Sequence, residues 1–268
     1  MMIQKQQPKY FDIIRALKKG GLSLWLNRRT LSSMMIVPVI VTFITLMITR
    51  MDGMNEMSPF MLALVQIPAD FVTGIFCALI IVIIMSAPSK KDSAAPVMFS
   101  LNIMDKKTIM ITAAVAHVIF GYFSSGLYGV MQMIAEPMRV AAEAQTPLPT
   151  DSLIILVGLL TVGFYIVRFM MLPILLVAEM DIKSFFKTHL SFSFSAPIFL
   201  VKFASTSAVG LCIYVLMQGV LIGRQAGDVL TPIQGGILDF ATAIASVIAT
   251  AWAYASLCVG LRQMIEKD

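Results

Sequence analysis

Four ionisable side chains stand inside long apolar runs of this sequence: Asp70, His117, Arg168 and Lys202. A charge in hydrocarbon costs at least about 2.5–3.5 kcal/mol on insertion scales, so such a residue persists where it reaches the headgroups, finds a partner or serves a ligand. Arg168 and Lys202 each lie toward the same membrane surface, and Glu179 follows shortly after Arg168. Together they form a candidate set for an anion, either a lipid headgroup or an anionic substrate, with Glu179 as counter-charge. An arginine fork would hold phosphate in two hydrogen bonds where lysine offers a point charge. The competing account has both cations extending their stems to the headgroups. Asp70, placed just inside the start of the second span near the opposite surface, and His117 are candidates for an ion pathway, since imidazole carries protons near neutral pH. For His117 the competing role is a hydrogen-bonded packing residue. Asp239 is read as solvated at a helix start.

Other groups carry less. Met47, Met51, Met54, Met57 and Met61 recur every three or four residues, a spacing that thioether ligands of Cu(I) would suit. Methionine is abundant throughout the chain and fills apolar gaps, so no metal site is expected. Cys77, Cys212 and Cys258 each lie in an apolar run, which argues against a disulfide framework. No Ser-His-Asp order, HExxH, Walker loop or dinucleotide fingerprint occurs, so no catalytic residue and no cofactor are expected. The chain reads as non-enzymatic.

The elements that must position these residues follow from hydropathy. Hydrophobic residues make up 58% of the chain and charged ones 13%, with a mean hydropathy of +0.87. A soluble fold of this length could not hide so much apolar surface. The excess falls in runs of about 20 residues, the length that crosses about 30 Å of hydrocarbon at 1.5 Å per residue. Unpaired backbone is excluded from lipid, and alternating strands are absent, so the spans are helical. The expected fold is all-α: a polytopic membrane helix bundle of six transmembrane helices plus two interfacial amphipathic helices.

The spans are placed at 31–49, 62–86, 108–135, 152–173, 197–222 and 240–261. Residues 1–29 form an arm, and 30–268 the six-helix domain. Within the arm, 10–19 sets Tyr10, Ile13, Ile14 and Leu17 against Asp12, Arg15, Lys18 and Lys19, a helix lying in the headgroup plane and ended by Gly20-Gly21. Residues 179–195 set Phe185, Phe186, Leu190 and Phe194 against Lys183, Lys187 and His189 as a second such helix. The fourth span is expected to leave the bilayer at Pro173 or a little beyond, with Arg168 about one and a half turns below Pro173. Glu136, Glu143 and Asp151 are assigned to one loop, and 224–239 to a Gly-rich loop.

The net charge of +5 could suggest nucleic acid, but its distribution reads as topology. Fifteen Lys and Arg fall in the arm, 87–107, 179–195 and the tail, whereas the opposite loops hold only Arg50, Arg139 and Arg224. By the positive-inside rule both termini are cytoplasmic, and the loops near Asp52, Glu143 and Asp228 face the other side. Gly121, Ser125 and Gly129 on the third span, and Ala241, Ala245, Ala249 and Ala253 on the sixth, form rows of small residues where helices approach closely. Such rows serve packing within the chain first, and a homo-oligomer stays open.

At Arg168-Phe169, Pro173, Glu179 and Ser191 the spacing resembles a broad group of bacterial six-helix proteins, which includes the membrane domain attached to some glycerophosphodiesterases. This sequence lacks the Arg-Gly that often follows the Ser in that group. The resemblance implies a multi-pass protein of the bacterial inner membrane without catalytic activity in this domain. The leading functional expectation is a non-enzymatic component that binds membrane lipids, anionic ones included, or protein partners. The alternative is a small secondary transporter or channel using intramembrane charges.

Overall fold

The structure is a computed structural model that describes residues 12–51, 54, 57–85, 107–145, 150–188, 192–220 and 231–265. All regular structure among them is helical. The helices are α1 (Ile13–Leu26), α2 (Arg28–Thr49), α3 (Pro59–Met85), α4 (Lys107–Glu143), α5 (Thr150–Ile166), α6 (Met171–Val177), α7 (Ile182–Thr188), α8 (Phe192–Val220) and α9 (Pro232–Ile265). A 3₁₀ turn, Val167–Met170, joins α5 to α6. Six stretches are long and apolar enough to cross a membrane: α2, α3, α4, the run Thr150–Val177, most of α8, and α9. Helix α5 has no buried residue although Ile154, Val157, Leu160 and Val162 line it. A helix apolar all round and so little covered by protein needs an apolar solvent, which is the environment of a multi-pass membrane protein.

Helices α3 and α9 are the most enclosed of the six, and the core lies around them. Ile80, Ile81, Met170, Met171, Ile174, Leu175, Tyr254 and Leu257 are all fully buried there. Antiparallel α3 and α4 touch along their lengths because glycines remove the side chains between them. A Cβ on Gly74 would lie 2.9 Å from Ala114 Cα, and one on Gly129 2.5 Å from Pro59 Cβ. Between these points Ser125 Oγ donates to Gln66 Oε1 at 3.0 Å. The small row of the third span is thus a packing face within the chain.

The arm differs from its expected form. Asp12 caps α1, its Oδ1 accepting from Arg15 N–H at 3.0 Å. The helix then runs through Gly20 and Gly21 and ends at Asn27. These glycines do not terminate it; they let it approach α9. A Cβ on Gly20 would lie 2.7 Å from Ser256 N, and Trp252 Nε1 donates to the Leu17 carbonyl at 3.0 Å. Asp12 N–H donates to Gln263 Oε1 at 2.9 Å, so α1 runs antiparallel along the last turns of α9. Its packing face is Ala16 and Gly20 with Ile13 and Leu17, whereas Ile14 is 79% exposed.

The segment after the fourth span also differs. The helix runs four residues past Pro173, to Val177. Proline has no N–H for the carbonyl four residues back, and here it falls in the first turn of α6, where that N–H is dispensable. The chain tightens into the 3₁₀ turn just before it, restarts, and continues to Val177. It stops at Glu179, whose φ of 55° is left-handed. Met180 N–H donates to the Leu175 carbonyl and Glu179 N–H to that of Leu176, a Schellman closure in which a non-glycine residue takes the strained place. The second amphipathic helix is only α7; Phe194 already belongs to α8, and His189 and Leu190 lie outside the described residues. Two expected loops are partly helix. Glu136 and Glu143 sit on α4, both ion-paired to Arg139 at 2.6 Å, and α9 begins at Pro232.

Candidate functional site

The helix lengths place four polar residues at similar depth. Counting 1.5 Å per residue from the ends nearest the α1 side, His117, Lys202 and Tyr254 are roughly 15 Å deep and Asp70 roughly 22 Å. Asp70 therefore lies near the middle of α3, well inside the span start where the sequence suggested it.

His117 Nδ1 and Tyr254 Oη share a hydrogen bond of 2.8 Å, with ring centroids 5.5 Å apart. Both residues are buried, so the imidazole holds α4 to α9 in its packing role. Asp70 is half-buried, and its Oδ2 is enclosed with no hydrogen-bond partner among the described residues. Gly121 makes room for it, since a Cβ there would fall 2.5 Å from that oxygen. Lys202, also half-buried, lies within electrostatic reach of Asp70, Cys77 and His117, and Tyr254 lies within reach of Asp70. Asp70 and Lys202 form no direct ion pair among the described residues.

Arg168 belongs to a different place. It is 5% exposed, and its guanidinium lies 4.6 Å from the Tyr165 ring centroid. Because the helix continues past Pro173, Arg168 is eleven residues before Glu179, about three turns rather than one and a half. Glu179 itself is exposed at the end of α6. Lys202, grouped with Arg168 and Glu179 by the sequence, also lies within electrostatic reach of Asp70.

Around Arg168 the surface is apolar. One cleft of about 400 Å³ is lined by Thr161, Val162, Tyr165, Phe169 and Phe186 beside Arg168. A second of about 420 Å³ lies against Ile119, Phe120, Phe123 and Leu172. Phe169 forms a wall of both, held by Phe186 at 5.9 Å.

At the opposite end Arg50 Nη2 meets Asp239 Oδ1 at 2.8 Å, joining the end of α2 to the second turn of α9. Asp239 is 4% exposed and inside a helix, so an ion pair rather than helix-start solvation accounts for it. Cys77 and Cys258 are buried, and Cys212 is exposed on α8. Met51, Met57 and Met61 expose much of their side chains. Tyr254 and Gln66 were not singled out from the sequence, and Ser125 only as a member of a row of small packing residues. Gln66 carried a signal, being one turn from Asp70 on the same face of α3; Tyr254 carried none within its apolar run.

The chain matches no protein-family model, no curated protein and no solved structure.

Proposed function

We propose that the protein is a small secondary transporter of the bacterial inner membrane, non-enzymatic, with both termini cytoplasmic and its solute site at the level of Asp70 and Lys202. One observation carries this reading: near the middle of α3 the Asp70 carboxylate has its Oδ2 enclosed with no hydrogen-bond partner among the described residues, and half-buried Lys202 of α8 lies within electrostatic reach of it. An intramembrane charge with no headgroup within reach is costly unless it serves a pathway. Gln66 and Ser125 continue the polar line from Asp70 toward the opposite end. Lipid binding is a second reading, favoured by the two apolar clefts flanking Phe169.

Labelling by membrane-impermeant thiol reagents tests transport. With Cys212 and Cys258 replaced by Ser, Gln66→Cys probes one side of Asp70 and native Cys77 the other. Each is expected to react from its own face, with a shift in pH moving the two reactivities in opposite directions. Both positions staying unlabelled from either face would reject transport and leave lipid binding as the role.

A further inference from the structure

Resting on the transport reading, we infer that the coupling ion is a sodium-sized monovalent cation held between α3 and α4 by the oxygens of Asp70, Gln66 and Ser125. The register of the two helices brings these groups together. Gln66 and Asp70 are four residues apart on α3, one above the other on a single face, and Gly121 and Ser125 stand in the same relation on α4. The helices run antiparallel, and the two rungs match. Asp70 Oδ2 lies where a Cβ on Gly121 would come within 2.5 Å of it, and Ser125 Oγ donates to Gln66 Oε1 at 3.0 Å. Two facing helix turns thus present a carboxylate, an amide oxygen and a hydroxyl oxygen.

Charge and donor type select the ion. Asp70 Oδ2 is enclosed with no hydrogen-bond partner among the described residues, and a carboxylate in a dry interface is costly until a positive charge meets it. Lys202 is within electrostatic reach but makes no direct ion pair with it among the described residues. One monovalent ion balances one carboxylate, whereas a divalent ion would leave a surplus charge. Oxygen donors suit a hard ion, and the described residues hold no cluster of His, Cys, Asp and Glu of the kind a transition metal takes. Gly121 lets the helices close on Asp70 and leaves less than a methyl group's space at Oδ2, which favours a small ion over a large one. Asp70, Gln66 and Ser125 are each half-buried rather than sealed, so water completes the coordination shell. Lys202, a like charge, lowers the affinity from a distance.

The test uses the full chain in detergent at fixed pH and ionic strength, with choline chloride replaced stepwise by sodium or potassium chloride. Binding of radioactive sodium is measured by equilibrium dialysis. Wild type is expected to bind a single sodium ion, and potassium more weakly. Ser125→Ala and Gln66→Met each remove one oxygen with little change in packing, and each should weaken sodium binding at least about tenfold, as losing a contact to a charge does. Asp70→Asn should abolish binding, and Lys202→Gln, which removes the opposing charge, should tighten it. No sodium binding by wild type, potassium bound as tightly as sodium, binding that survives Asp70→Asn, affinity unchanged in both Ser125→Ala and Gln66→Met, or affinity lost in Lys202→Gln would each overturn the inference. The two oxygen deletions keep the test decisive if Asp70→Asn fails to fold. These outcomes are separable from the labelling result. Sodium binding with access closed on both sides would keep the cation site and reject transport, whereas labelling from both faces without sodium binding would keep transport and reject the ion.

Discussion

At the scale of single residues, burial decides between roles that sequence leaves open. His117 could carry protons or pack, and the 2.8 Å bond to Tyr254 occupies the nitrogen facing α9. Tyr254→Phe removes that partner and leaves Nδ1 dry, which should cost about 1–3 kcal/mol. His117→Phe/Tyr254→Phe should recover part of the loss, because no buried polar atom is then left unmatched. Thermal unfolding in detergent reads both, and an unchanged midpoint in Tyr254→Phe would show that the bond contributes nothing. Arg168 was legible as an intramembrane cation, yet its depth was not. Depth depends on whether Pro173 ends the helix or only resets it, and the buried residues of α6 around it decide for a reset.

At the scale of elements, helix contacts follow the small residues, and the physical reason is the absence of a hydrophobic drive between helices in lipid. Gly74 meets backbone, with Ala114 Cα and O at 2.9 and 3.1 Å from a built Cβ, so Gly74→Ala must push α3 off α4. Gly158 on α5 meets nothing within 4 Å. Gly158→Ala should therefore be neutral or gain up to about 1 kcal/mol of helix propensity, whereas Gly74→Ala should destabilise by about 1–3 kcal/mol. Equal melting temperatures for the two variants would contradict the close packing of α3 and α4. The same reasoning explains α1. Gly20-Gly21 reads as a stop in one dimension, but a glycine pair inside a helix also suits close docking, and Ser256 and Trp252 supply the surface that makes it so.

At the scale of the molecule, the six-span topology is tested by reporter fusions. Fusions after Met51, Glu143 and Thr231 are expected to report one side of the membrane, and fusions at either terminus the other; a cytoplasmic signal at any of the three would reject the arrangement. The all-helical class, the number of spans and their approximate limits were determined by the sequence alone, because about 20 apolar residues in lipid admit only a closed helix. The Gly121-Ser125-Gly129 packing row was legible for the same reason, as a local periodicity. Which charges meet was not. Lys202 was grouped with Arg168 and Glu179 by nearness along the chain, and its electrostatic reach to Asp70, 132 residues away, comes only with the fold. Likewise Asp239 was given to solvent although Arg50 holds it. Spacing along a helix fixes which residues share its face, but the rotation of that face toward a particular neighbour is set by the packing of all the helices together. Only the tertiary structure decides that, and with it where the charged site of this protein lies.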